Sequence, residues 1–149
     1  MAASVPTHLD IPDIGVHSSL IKLGLAGDGT IDVPPLTKDA PAGWYDRSPT
    51  PGQIGPAVLL GHVHVNSYDG VFSKLSELKP GALISVSRAD GTTAEFVVTH
   101  LATYPKDNFP AQSVYGNTAT PQLRLITCAG LDKKTHTYRD NTVVYATLH

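Results

Sequence analysis

One cysteine in 149 residues excludes an internal disulfide, so the apolar core must hold the fold together. No apolar run approaches the length that spans a bilayer, and no stretch reads as a signal peptide. Charge of one sign is also missing. Eleven Lys and Arg against 13 Asp and Glu leave a formal charge of -2, which gives no basic field for nucleic acid. Internal repeats, low-complexity tracts and linkers are absent too, so residues 1–149 read as a single domain.

What the chain does have is breakers and strand formers. Its 13 Gly and 12 Pro are spread along the sequence and divide it into short segments. Segments rich in Val, Ile, Leu, Thr and Tyr predict strands over 9–16, 19–25, 57–62, 82–87, 93–103, 122–128 and 142–148. Asp90-Gly91 predicts a two-residue type I′ hairpin. One short helix is expected over 70–78, capped by Asp69, with Val71, Phe72, Leu75 and Leu78 on one face. A second helical turn is expected within 108–116, inside the long loop from Tyr104 to Pro121, and loops of that length usually carry function. The fold class is mostly β, a barrel or a sandwich.

Three places carry candidate chemistry. LRLITCAG (123–130) puts the lone Cys128 at a strand's C-terminal end, where side chains reach a rim. Thr127 beside it offers a hydroxyl and a backbone N–H to a developing oxyanion. LLGHVHVN (59–66) ends a strand at Gly61-His62, with His64 two residues on, a spacing that also permits metal ligation. HTYRDNTVVYA (136–146) opens an apolar strand with Arg139. Its fork of donors can hold a substrate carbonyl, or can merely pair with Asp140 at the surface.

Taken in order, Gly61-His62, Leu125-Ile126-Thr127-Cys128 and Tyr138-Arg139-Asp140-Asn141 resemble the sortase family of cysteine transpeptidases. The similarity runs over nearly the whole chain. IPDIGV (11–16) is like the family's first strand. VPP (33–35) with Trp44-Tyr45 resembles the actinobacterial classes E and F, and RDNTVVYA and LITCAG lean toward class F. Arg124 departs from the pattern, standing where the family commonly has threonine.

The resemblance implies a closed eight-stranded β-barrel with one or two short helices and a groove loop. It implies cleavage of a sorting signal similar to Leu-Pro-X-Thr-Gly after the threonine, through a thioester, and transfer of the acyl group to a cell-wall amine. Carried over by position, Cys128 is the nucleophile, His62 the general acid and base, and Arg139 the clamp for substrate and oxyanion. Thr127 and Ile126, with Phe109 and Tyr115 of the long loop, would line the groove. No metal or other cofactor is expected, nor calcium dependence, since the long loop holds Asp107 alone among acids. Family members sit on the outer face of the membrane through an N-terminal segment, and such a segment is expected to precede residue 1.

At reference pKa values of ~8.5 and ~6.5, a Cys–His pair is thiolate–imidazolium to about 1% at pH ~7.5, which predicts slow turnover and a bell-shaped pH profile. Two other functions compete. One is a cysteine peptidase that hydrolyses without transfer. The other is a metal-binding β-domain using His62, His64 and either His100 or Cys128, which lacks paired-ligand spacing and leaves Arg139 without a role.

Overall fold

The computed structural model describes residues 1–25, 27, 31–65, 68–105, 110–128, 131–132, 137–138 and 140–149, with the backbone alone at 128, 131–132 and 137–138. The strands are β1 (Pro6–Ile11), β2 (Val16–Leu23), β3 (Ala42–Tyr45), β4 (Gly55–His62), β5 (His64–Val65), β6 (Tyr68–Asp69), β7 (Leu83–Arg88), β8 (Thr93–Tyr104), β9 (Pro121–Cys128), β10 (Leu131–Asp132), β11 (Thr137–Tyr138) and β12 (Asn141–Leu148). One α-helix, α1 (Ala111–Tyr115), lies between β8 and β9, and 3₁₀ turns cover Pro12–Ile14 and Leu75–Glu77.

Eight strands close a barrel in the order β1-β2-β3-β4-β9-β12-β8-β7, the mostly-β, eight-stranded architecture expected. β7 returns to β1 through the pairing of Leu9 with Val86, so the sheet has no open edge in this ring. Most neighbours run antiparallel. β2 with β3 and β4 with β9 are parallel.

The parallel β4–β9 pair explains the sequence of β4. Its residues GPAVLLGH are all buried, because both faces are covered. Leu59 joins Leu9, Phe96 and Leu125 in the larger core cluster, while Val58 and Leu60 join Val114 of α1, Ile126 and Val143 in a second one. α1 thus seals the outer face of the strands that end in His62 and Cys128.

Several details depart from the sequence reading. The segment from 70 to 78 is a run of turns closed by the 3₁₀ turn Leu75–Glu77, not a helix. Asp69 does not cap it but pairs with His64 in the β5–β6 hairpin. The apolar face is nonetheless used: Phe72, Leu75 and Leu78 are buried in the larger cluster, with Val71 packed against it. The strand expected over 9–16 breaks at Pro12, whose ring fits the 3₁₀ turn better than a ladder. The β7–β8 turn is not type I′. Gly91 alone has positive φ (86°), and Asp90 instead accepts the Thr92 N–H at 2.9 Å and its hydroxyl at 2.6 Å. β3, only four residues long and rich in small side chains, was not expected from periodicity.

Candidate active site

β4 and β9 position the site through their register. Gly61 pairs with Thr127 and His62 with Cys128, at the C-terminal ends of adjacent parallel strands. Two candidate groups from segments 66 residues apart therefore stand level across one ladder step. The Cys128 side chain lies outside the described residues.

His62 is buried, at 5% exposure. Its backbone is fixed from the segment that follows: the Phe72 N–H donates to the His62 carbonyl at 3.0 Å, and the Gly70 N–H to the Val63 carbonyl at 2.7 Å. Space, not φ, demands the glycine of the Gly-His pair. A Cβ at residue 61 would stand 2.7 Å from both Phe72 Cδ2 and Val71 Cγ1. A Cβ at Gly70 would collide with the His62 carbonyl. The imidazole Nε2 lies 2.7 Å from the main-chain oxygen of Pro34, in the β2–β3 connection. A carbonyl only accepts, so Nε2 carries the proton and Nδ1 is the basic atom of the neutral ring.

Thr127 faces other work. It is buried, and its hydroxyl accepts the Thr142 N–H at 2.8 Å, tying β9 to β12. It also lines a small cavity of about 160 Å³ with Phe72, Ser73, Ser76 and Asp140. Ile126 is buried in the second cluster, and Tyr115 packs against that cluster from the end of α1. Phe109 and Arg139 lie outside the described residues.

A buried histidine stands level with the lone cysteine on a closed barrel, and a family model for the sortase domain matches residues 9–149. The chain belongs to the sortase family. Membership makes it a cysteine transpeptidase by class. Solved sortases share its fold. Sortase C-1 of Actinomyces oris superposes with a TM-score of 0.74 at 22% identity, over 96% of this chain and 73% of that one. Sortase C1 of Streptococcus agalactiae gives 0.72 at 20% identity, over 96% and 66%. Sortase A of Corynebacterium diphtheriae gives 0.73 at 19% identity, over 99% and 62%. The chain thus spans about two thirds of the length of these sortases. No curated protein gave a significant match.

The residue that departs from the sortase pattern, Arg124, is built into the outer cluster. Its guanidinium lies 4.6 Å from the centre of the Tyr145 ring, which stacks on His100 at a centroid distance of 4.2 Å. Nη2 donates to Gln122 Oε1 at 2.6 Å, while buried Nε finds no partner among the described residues. Burial pulls the Arg124 pKa below its ordinary value. The Tyr145 hydroxyl is pushed above its usual range by burial first and then by the Tyr104 hydroxyl 2.6 Å away. The Arg124 end of this stack lies on β9, four residues before Cys128.

The histidines that the metal reading would gather have separate partners. His62 bonds to Pro34, His64 faces Asp69 at 3.8 Å, and His100 stacks on Tyr145. Pro34 itself was missed as a site residue. The VPP motif flagged the segment, but nothing in its spacing points to His62.

Proposed function

We propose that this sortase cleaves an LPXTG-like sorting signal between Thr and Gly and transfers the acyl group to a cell-wall amine. The observation that supports the reading is the parallel register that sets His62 level with Cys128.

The Cys128 thiolate attacks the threonine carbonyl carbon, forming a C–S bond. The C–N bond to glycine then breaks, and imidazolium His62 gives its proton to the leaving amine. An acceptor amine attacks the thioester, His62 takes that amine's proton, and the C–S bond breaks to release the thiolate. Arg139 holds the tetrahedral oxyanion in both halves. Tyr115 and Phe109 would line the groove for the signal peptide, with buried Ile126 and Thr127 behind them.

VPP at 33–35, Trp44-Tyr45 and RDNTVVYA support a class F or class E assignment, and an N-terminal segment would hold the domain on the outer face of the membrane. The test is incubation with LPXTG-like and LAXTG-like peptides plus an amine, read by mass spectrometry. A product joined to the amine supports the reading. Release of free acid alone, with amine present, makes the protein a hydrolytic cysteine peptidase instead.

A further inference from the structure

Sortase chemistry needs an oriented imidazole, and no acidic side chain among the described residues pairs with His62. We propose that the main-chain carbonyl of Pro34 is a positioning group of the catalytic arrangement, orienting His62 as a carboxylate does in other Cys–His enzymes. The inference rests on the transpeptidase reading above and adds a positioning residue to it.

The geometry is specific. Pro34 O and His62 Nε2 are 2.7 Å apart in a buried contact that spans 28 residues of sequence. Pro34 is buried although its neighbours Val33 and Pro35 are exposed, so the segment dips inward at this one residue. The chain before it is tied down: the Asp32 N–H donates to the Gly24 carbonyl at 2.8 Å, and the Val33 N–H to Asp32 Oδ1 at 2.9 Å.

The Pro-Pro sequence aims the carbonyl. The Pro34 ring fixes its own φ near about -65°. Pro35 restricts the ψ of the residue before it to extended values, and that angle sets the direction of the Pro34 carbonyl. The acceptor is therefore held in place before substrate arrives, with little entropy left to lose. It keeps the proton on Nε2 and leaves Nδ1 as the atom that exchanges a proton with thiol and amine.

The test compares Pro35→Gly with Leu36→Gly. The first frees the Pro34 carbonyl. The second loosens an adjacent exposed residue (67% exposed) without touching that restriction. Pro35→Gly is expected to lower kcat about tenfold or more with KM changed less than about twofold, because a misplaced general base loses rate more than binding. Leu36→Gly should leave both near normal, and melting temperatures of both should match the parent. Nitrogen-15 spectra of the histidines should show His62 protonated at Nε2 in the parent and a mixed tautomer in Pro35→Gly. Equal loss in both variants, an unchanged or raised kcat in Pro35→Gly, or Nδ1 protonation in the parent overturns the proposal. The spectra need no turnover, so a protein without transpeptidase activity would refute the function while leaving this contact separately decided.

Discussion

Gly61→Ala is the substitution in which packing and chemistry meet. The added Cβ would stand 2.7 Å from Phe72 Cδ2 and from Val71 Cγ1, about 0.7 Å inside ordinary contact at 3.4 Å. Phe72 cannot give way easily, since its ring is 1% exposed and its N–H holds the His62 carbonyl. Overpacking of this kind costs ~1–3 kcal/mol, and a chain of this length loses about 2–4 °C of Tm per kcal/mol. The strain falls beside His62, where a shift approaching 1 Å can cost on the order of a hundredfold in rate. The expected outcome is a Tm lowered by several degrees and kcat/KM reduced by one to two orders of magnitude. Adding Phe72→Leu should recover part of the activity by yielding space. The assay is transfer of a sorting-signal peptide to an amine beside a melting curve. A Gly61→Ala variant with parental Tm and turnover, or no recovery in the double variant, refutes the packing account.

Further outcomes follow from the same geometry. His62→Ala should be nearly inactive and His64→Ala substantially active, because His64 is exposed on the β5–β6 hairpin; equal losses in peptide turnover would revive the metal reading. Arg139→Lys should fold normally and still react with a small thiol reagent, yet lose roughly a hundred- to thousand-fold in kcat/KM, the value of one oxyanion donor that a lysine cannot replace in two-point contact. Near-normal turnover would remove Arg139 from the site. Thr127→Val keeps the shape but leaves the Thr142 N–H without its acceptor, so unfolding by denaturant should show a loss of about 1–3 kcal/mol. No loss would show that water satisfies that N–H.

The barrel was legible because its strands announce themselves. β8, β9 and β12 are long β-branched and apolar runs that fall within a residue or two of where periodicity put them. β3 was illegible for the opposite reason: Ala42-Gly43-Trp44-Tyr45 becomes a strand because it pairs with Leu20 to Leu23 of β2 on one side and with Leu59 and Leu60 of β4 on the other. Phe72, Leu75 and Leu78 were placed together on one face, but their backbone answers to the Gly70 and Phe72 bonds with the end of β4 and the residue after it, which no local propensity encodes. In the site, His62 and Cys128 could be named from motif order, whereas their register could not. The role of Thr127 is a comparable case. Its hydroxyl beside the cysteine reads as substrate chemistry, and only the fold shows that it also accepts the Thr142 N–H of β12. Pro34 contributes an atom that every residue has, so only the folded chain reveals it.

The most direct test is the intact mass of the protein after brief exposure to a sorting-signal peptide without an amine acceptor. The account predicts an adduct equal to the peptide up to its threonine, located on Cys128, discharged by added amine and absent from Cys128→Ala. A parent protein that cleaves the peptide with no such adduct, or a Cys128→Ala variant that still transfers it, would contradict the account.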